Sequence, residues 1–278
     1  MKLSLFLHYF CLKKRMLSQN PIGIFDSGAG GLSVFKEIVI SLPLENCVYY
    51  ADTRNCPYGV KKQEEVIAFS ENIVEFLLEK NVKLIVVACN TATGAAIDHL
   101  RKKYKINFVG MEPAVKPAAI NTKTGNIGIL ATQGTFQSRL FRETSKKWAE
   151  NRNIMIQVGE GLVELVEQGK HNSTEAEIIL RKYIIPMLAN NVDQLVLGCT
   201  HYSFFLPLIE KIVEGKAEII DPAPAIARRV SDLLHSGDLL NPSSKKGKHT
   251  FYVNGDPSVF SALLPLIHAE ASEIIPIK

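Results

Sequence analysis

The chain repeats itself. Val82-Lys-Leu-Ile-Val-Val-Ala-Cys89-Asn90-Thr91 aligns without gaps on Val192-Asp-Gln-Leu-Val-Leu-Gly-Cys199-Thr200-His201, an offset of 110 residues. Ile22-Gly-Ile-Phe-Asp26-Ser27 aligns on Ile127-Gly-Ile-Leu-Ala131-Thr132 at an offset of 105, and Glu112-Pro113-Ala114 on Asp221-Pro222-Ala223 at 109. Three matches in one order at nearly one spacing point to two halves of similar topology.

Each half alternates short apolar runs with amphipathic segments. The runs at 22–25, 48–51, 82–88, 106–110, 127–130, 154–158, 195–198 and 218–220 are rich in β-branched residues and read as buried strands. Val66, Phe69, Ile73, Phe76 and Leu77 line one face of a helix expected over 61–80. Thr174-x-x-Glu177 reads as a capping box opening another helix, which Pro186 is expected to kink or end. Such alternation gives mainly parallel sheets covered on both faces. The expected fold class is therefore α/β, with two similar doubly wound domains related by pseudo-twofold symmetry and a site in the cleft between them. The two acidic-Pro-Ala segments mark the crossings, so the first domain is expected at 21–113 plus 222–278 and the second at 114–221.

Residues 1–20 are set apart as a non-native or disordered extension. Residues 1–12 are apolar, but Lys13-Lys14-Arg15 follows them, the reverse of a signal peptide. The run is too short to cross a bilayer. Met16 is the expected start, with a short peripheral anchor as the alternative.

Composition narrows the function. At 46% hydrophobic and 22% charged, a 278-residue chain is neither disordered nor fibrous. The net charge of +4 is spread thinly, and its densest groups, Lys13–Arg15 and Lys245–Lys248, are short, so no nucleic-acid partner is expected. Five cysteines with no C-x-x-C pair fit neither a disulfide framework nor a zinc ribbon. Free thiols in a reducing, cytoplasmic setting are the natural reading. No residue group has metal-ligand spacing, and no lysine is marked as a Schiff base.

Ligands of open α/β sheets bind beyond the carboxyl ends of the strands. Cys89 and Cys199 each follow such a strand, with polar followers at the start of the next element. Two facing halves would aim both thiols at one ligand. Cys11, Cys47 and Cys56 read as small buried apolar residues. A thiol on each side of a carbon suits inversion, in which one group removes a proton and the other replaces it. An unperturbed thiol pKa of about 8.5 lets one act as thiolate and the other as acid. Asp26-Ser27-Gly28-Ala29-Gly30-Gly31 would turn backbone N–H groups at a helix start toward an anion, or is simply a tight turn; it is neither a dinucleotide fingerprint nor a Walker A loop. His201 shares the turn after Cys199, where it can orient or protonate a neighbour. Pro57-Tyr58-Gly59 needs no explanation beyond a turn.

At this point the motifs meet a known family. Gly23 to Leu32, Pro57-Tyr58-Gly59, Ala88-Cys89-Asn90-Thr91-Ala92 and Leu197-Gly198-Cys199-Thr200-His201-Tyr202 resemble the glutamate racemases of the aspartate/glutamate racemase family. These are cofactor-independent enzymes that make D-glutamate for bacterial peptidoglycan. The resemblance runs from about Pro21 to the C-terminus. It implies that Cys89 works on the D-enantiomer and Cys199 on the L-enantiomer, assisted by Asp26 and His201, with Glu167 paired to the histidine. It further implies that Asp26, Ser27, Tyr58, Gly59, Asn90, Thr91, Thr135, Thr200 and His201 hold the L- or D-glutamate substrate. A homodimer, no cofactor, no metal and no membrane partner go with it.

Aspartate racemases usually carry Glu where His201 stands and lack Asp-Ser-Gly-x-Gly-Gly, which favours glutamate. Two departures stand out. The run Gly159 to Glu167 lacks the family's Cys-Pro, and Ser203-Phe204 replaces the commoner Pro-Leu. Two alternatives stay open: a racemase for aspartate or another amino acid, and a non-catalytic two-domain protein that clamps a small anion.

Overall fold

The computed structural model describes residues 17–267 and 273–277. The expected start at Met16 and the extension before it lie outside those residues. Residues 17–20 do belong to the fold: Ser18 is buried and its carbonyl accepts a hydrogen bond from Lys83.

Eight of the ten described strands fall where the apolar runs predict them. These are β1 (Ile22–Asp26), β2 (Cys47–Ala51), β3 (Leu84–Val87), β4 (Phe108–Gly110), β5 (Asn126–Ala131), β6 (Asn153–Val158), β7 (Gln194–Gly198) and β8 (Glu218–Ile220). β9 (His249–Asn254) and β10 (Glu273–Ile277) are additions to that reading. β10 carries Pro276, which cannot donate to a ladder, and it lies at a sheet edge, where such a residue is tolerated.

Two parallel sheets result. One has the order β10-β9-β2-β1-β3-β4 and the other β6-β5-β7-β8. The segment β2-β1-β3-β4 of the first is reproduced by β6-β5-β7-β8 of the second, so the sequence repeat has become a repeat of strand order. Every described pairing is parallel. β1, β3 and β7 are buried along their whole length, as strands covered on both faces must be.

The helices close these faces. α1 (Leu32–Ser41) buries Leu32, Val34, Phe35 and Ile38, and packs beside α10 (Ala223–Ser236) on one side of the six-stranded sheet. α2 (Gln63–Glu79) and α3 (Asn90–Lys103) cover its other side around Phe25, Ile85 and Val87. On the smaller sheet, α4 (Val115–Asn121) and α6 (Arg139–Ala149) enclose Ile127, Ile129 and Val196. α8 (Thr174–Ala189) and α9 (Leu206–Val213) bury the opposite face. That last cluster is continuous with the core beneath α1, so the two halves share apolar packing. No described helix is long and apolar enough to cross a membrane.

Two details of α8 differ from the sequence reading. Its cap is Ser173, whose hydroxyl accepts from the Ala176 N–H, so the expected box starting at Thr174 is displaced by one residue. Pro186 lies inside the helix, which continues to Ala189. Ile184 and Met187 are buried on either side of it, and that packing offsets the one lost backbone bond.

At the amino ends of the strands a buried ion pair ties distant segments together. Lys83 pairs with Glu45 and also donates to the carbonyls of Ser18 and Leu239, both at 2.8 Å. Glu45 in turn accepts from the Asn241 N–H at 2.8 Å. Removing one partner leaves an uncompensated buried charge, which costs about 3–5 kcal/mol. We therefore expect Lys83→Met to lower unfolding stability by that amount in urea titration. A change below about 1 kcal/mol would mean that this network holds little.

Candidate active site

In each sheet the strand order reverses between two neighbouring strands, β1 and β3 in one, β5 and β7 in the other. Adjacent connections leave such a point in opposite directions and open a crevice at the carboxyl ends. Asp26 ends β1 and Cys89 follows β3; Thr132 follows β5 and Cys199 follows β7. The repeat has thus put a thiol at each crevice, and both thiols line one cavity.

Cys89 is the residue before α3, and its sulfur accepts from the Ala92 N–H at 3.4 Å, acting as the helix cap. It also lies 3.9 Å from the Ser27 hydroxyl. Cys199 precedes the short helical turn Thr200–Phe205, and its sulfur is 3.8 Å from His201 Nδ1. The polar residues after each cysteine are buried, as a site requires and a plain core position would not.

The glycine-rich loop after β1 does bind anions, but they are the protein's own. Asp26 Oδ2 accepts from the Gly31 N–H at 2.9 Å and the Gly28 N–H at 3.3 Å. Glu167 Oε1 accepts from the Ala29 N–H at 2.7 Å. The glycines permit close approach: a Cβ on Gly30 would stand 2.2 Å from His201 Nδ1, and one on Gly28 would stand 2.1 Å from Glu167 Oε1. This loop is therefore a seat for the imidazole and carboxylate of the other half.

Glu167 ends the helix α7 (Leu162–Glu167), which is anchored by buried Leu162, Val163, Leu165 and Val166. Despite the altered run before it, its Oε1 reaches His201 Nε2 at 2.7 Å. Cys56 joins this pair. One ligand-type atom from each of Cys56, Glu167 and His201 lies within 4.8 Å of the others. Cys56 read as a packing residue in the sequence, and no spacing there linked residues 56, 167 and 201. Only the fold assembles them.

The cavity is lined by Ser27, Tyr58, Gly59, Cys89, Asn90, Thr91, Thr132, Val163, Cys199, Thr200 and His201, together with Pro57. Its free volume is about 10 Å³, room for a single water. Asp26 and Glu167 stand behind that lining. The Asp26 carboxylate is reached by the Thr200 hydroxyl at 3.5 Å. Thr135 also stands behind, 3.0 Å from the hydroxyl of Thr132, which itself faces the cavity and meets Thr91 at 2.8 Å. Thr132 was missed in the motif reading, although the repeat aligns it with Ser27. Tyr58 gives its hydroxyl proton to Asp52, so it offers the cavity its other atoms. Neither side-chain polar atom of buried Asn90 has a hydrogen-bond partner. Ser203 and Phe204 face away, toward a separate cavity that also includes His171.

Burial sets the electrostatics. It raises Asp26 to about 6, against the opposing His201 charge and the Gly31 and Gly28 N–H groups. It pushes Cys89 well above the usual thiol range, and the neighbouring Asp26 charge adds to this while the Ala92 N–H opposes it. Burial alone would lower His201, but contacts with Cys199, Cys56 and Glu167 outweigh it and hold the imidazole well above its usual value. Burial likewise works to raise Glu167, and the His201 contact overcomes it and leaves the carboxylate below its usual range. At neutral pH the pair is an imidazolium and a carboxylate, beside one of two thiols.

Comparison with known proteins places this arrangement. The Asp/Glu/hydantoin racemase family profile matches residues 23–230. A glutamate racemase of Herpetosiphon aurantiacus is 43% identical over 254 residues, covering 91% of this chain and 100% of that protein. The crystal structure of a glutamate racemase isoform from Bacillus anthracis superposes with a TM-score of 0.85 at 30% identity, covering 94% of this chain and 98% of that one. The glutamate racemase of Francisella tularensis, solved with D-glutamate, gives a TM-score of 0.82 at 27% identity over 94% and 98% of the two chains.

The raised Asp26 pKa has a consequence for stability. A carboxyl that titrates near 6 when folded and near 3.8 when unfolded is protonated preferentially in the folded state between those values. Its contribution to stability therefore falls as pH rises from about 4 to about 6, by about 3 kcal/mol in all. Asn at this position keeps an acceptor for the Gly28 and Gly31 N–H groups without the charge. Asp26→Asn is expected to raise Tm at pH 7.5 and to leave it nearly unchanged at pH 4. An equal shift at both pH values would refute the assigned titration.

Proposed function

This chain belongs to the Asp/Glu/hydantoin racemase family, and from that premise we propose that it interconverts L- and D-glutamate by two-base proton transfer between Cys89, Cys199 and the substrate Cα. The observation that carries the reading is the pair of thiols at equivalent strand ends, lining one cavity from two halves.

The Cα proton of an amino acid is weakly acidic, and its removal needs a base held against it while the carboxylate accepts charge. In the L-to-D direction the Cys199 thiolate takes the proton and the Cys89 thiol returns one to the opposite face. In the D-to-L direction the roles exchange. Each turnover thus ends with the two sulfurs in exchanged protonation states. His201, 3.8 Å from the Cys199 sulfur and fixed by Glu167, is placed to balance charge when that sulfur ionises. Asp26 stands behind the loop on the Cys89 side, where its negative charge favours the neutral thiol.

Substrate contacts follow from the lining. The orphaned Asn90 amide needs polar partners, which a carboxylate and an ammonium supply. Ser27, Thr91, Thr132 and Thr200 add hydroxyls around it, and Tyr58 and Gly59 close one wall. Thr135 supports this surface through Thr132. A cavity of about 10 Å³ cannot admit a five-carbon diacid, so the two halves separate to load substrate and close to expel water. The Thr91–Thr132 contact across the cavity breaks in that motion.

The division of the chain into 21–113 with 222–278 and 114–221 is supported by sheet membership, since β5 to β8 form one sheet and the remaining strands the other. Supply of D-glutamate to peptidoglycan synthesis, a cytoplasmic location and a homodimeric state complete the proposal.

Serine at either sulfur position keeps the shape and loses the acidity. Cys89→Ser and Cys199→Ser are each expected to lower racemisation kcat by about 1000-fold or more, on the scale of losing an acid/base group. Measured by circular dichroism of L- and D-glutamate, full turnover in either variant would overturn the two-base reading. Retained glutamate binding with no turnover in the parent protein would favour the clamp without chemistry.

A further inference from the structure

Cys56 has no part in the proton transfer, yet its surroundings are those of a functional thiol. It precedes the turn Tyr58–Val60, arrives beside the catalytic cleft from behind, and is half-buried. Glu167 comes from the end of α7 and His201 from the turn after β7. Their side chains are 14% and 2% exposed. Sulfur, carboxylate oxygen and imidazole nitrogen therefore converge from three separate elements, all within 4.8 Å of one another.

We propose that Cys56, Glu167 and His201 form a binding site for a thiophilic divalent cation, Zn²⁺ above all, and that its capture inhibits the enzyme. Zn²⁺ takes Cys sulfur at about 2.3 Å and His nitrogen or Glu oxygen at about 2.0–2.2 Å, and three protein ligands leave its fourth position open. Tetrahedral geometry with those bonds spaces ligand atoms roughly 3.3–3.7 Å apart. The cluster reaches that spacing by opening the His201–Glu167 contact from 2.7 Å and drawing Cys56 in.

Charge balances in the exchange, although burial holds the Cys56 thiol proton by pushing its pKa up to about 11. Binding releases the Cys56 thiol proton and the proton shared by His201 and Glu167. A dication then faces one thiolate, one carboxylate and one neutral imidazole, a neutral set suited to a site with little water. A thiolate ligand selects Zn²⁺ over Mg²⁺ or Ca²⁺, which prefer all-oxygen sites.

The effect on turnover rests on the proposed racemase reading; the binding does not. A metal-bound imidazole is no longer a cation available to Cys199, and the Glu167 bridge to the glycine loop is pulled out of place. Inhibition is therefore reversible by chelation and is relieved when Cys56 is replaced.

The test uses the reduced, full-length protein. Zn²⁺ is titrated against a chromogenic chelator while racemisation is followed in parallel, and Co²⁺ replaces it for absorption spectroscopy. One Zn²⁺ per chain is expected, with turnover falling at least tenfold in step with occupancy and returning with EDTA. Mg²⁺ at the same concentration should have no effect. The Co²⁺ form should show a thiolate-to-metal charge-transfer band. Cys56→Ser and Cys56→Ala are expected to weaken Zn²⁺ at least tenfold, to lose that band, and to make the turnover each retains insensitive to the Zn²⁺ concentration that inhibits the parent. The proposal falls if the protein cannot compete with the chelator. It falls equally if both Cys56 variants bind Zn²⁺ as tightly as the parent, for the ion would then sit elsewhere. A protein that binds Zn²⁺ through Cys56 but never racemises glutamate would sustain this site and refute the proposed function instead.

Discussion

One carboxylate joins the two halves at the site. Glu167 Oε1 accepts from the Ala29 N–H of the glycine loop and from His201 Nε2 in the turn after β7. Much of the local design follows from seating that group. The loop has to be glycine at positions 28 and 30, because a side chain at either would collide with Glu167 or His201. The imidazole has to be charged, because its nearest neighbours are a carboxylate and two sulfurs. A buried pair of this kind is costly to desolvate and contributes little net stability, so its value lies in fixing geometry. The geometry fixed is the position of a cation beside one of two thiols.

The second organising fact is duplication. Both sheets contain the same four-strand order, and in both the order reverses beside the strand that ends in cysteine. Symmetry supplies the two thiols, and asymmetry in their surroundings differentiates them. Cys89 caps a helix next to Asp26, an anion at neutral pH; Cys199 stands beside the His201 imidazolium. Inversion of a carbon centre asks for such a pair: similar reach to opposite faces, with different electrostatic support on each side.

Much of this was legible in the sequence because it is local or repeated. The apolar runs gave the strands through β8, since buried parallel strands need uninterrupted β-branched stretches. The repeat brought Cys89 and Cys199 into equivalent places before any motif was named. It also paired Ser27 with Thr132, a signal that went unused although Thr132 lines the cavity. Cys56 was hidden for a physical reason. Its partners lie more than a hundred residues away, on elements whose juxtaposition depends on how the halves pack. The glycine loop reads in the sequence as a seat for a ligand anion or as a simple turn, and no sequence pattern says that its N–H groups go to Asp26 and Glu167.

The most direct test of the central claim is conversion of L-glutamate in deuterated water without added cofactor, followed by proton NMR at Cα and by chiral separation at low conversion. Two bases on opposite faces predict that newly formed D-glutamate carries solvent deuterium at Cα, while unreacted L-glutamate keeps its proton. D-glutamate that retains the substrate proton, or deuterium entering unreacted L-glutamate as fast as product forms, would point to a single base and contradict the account.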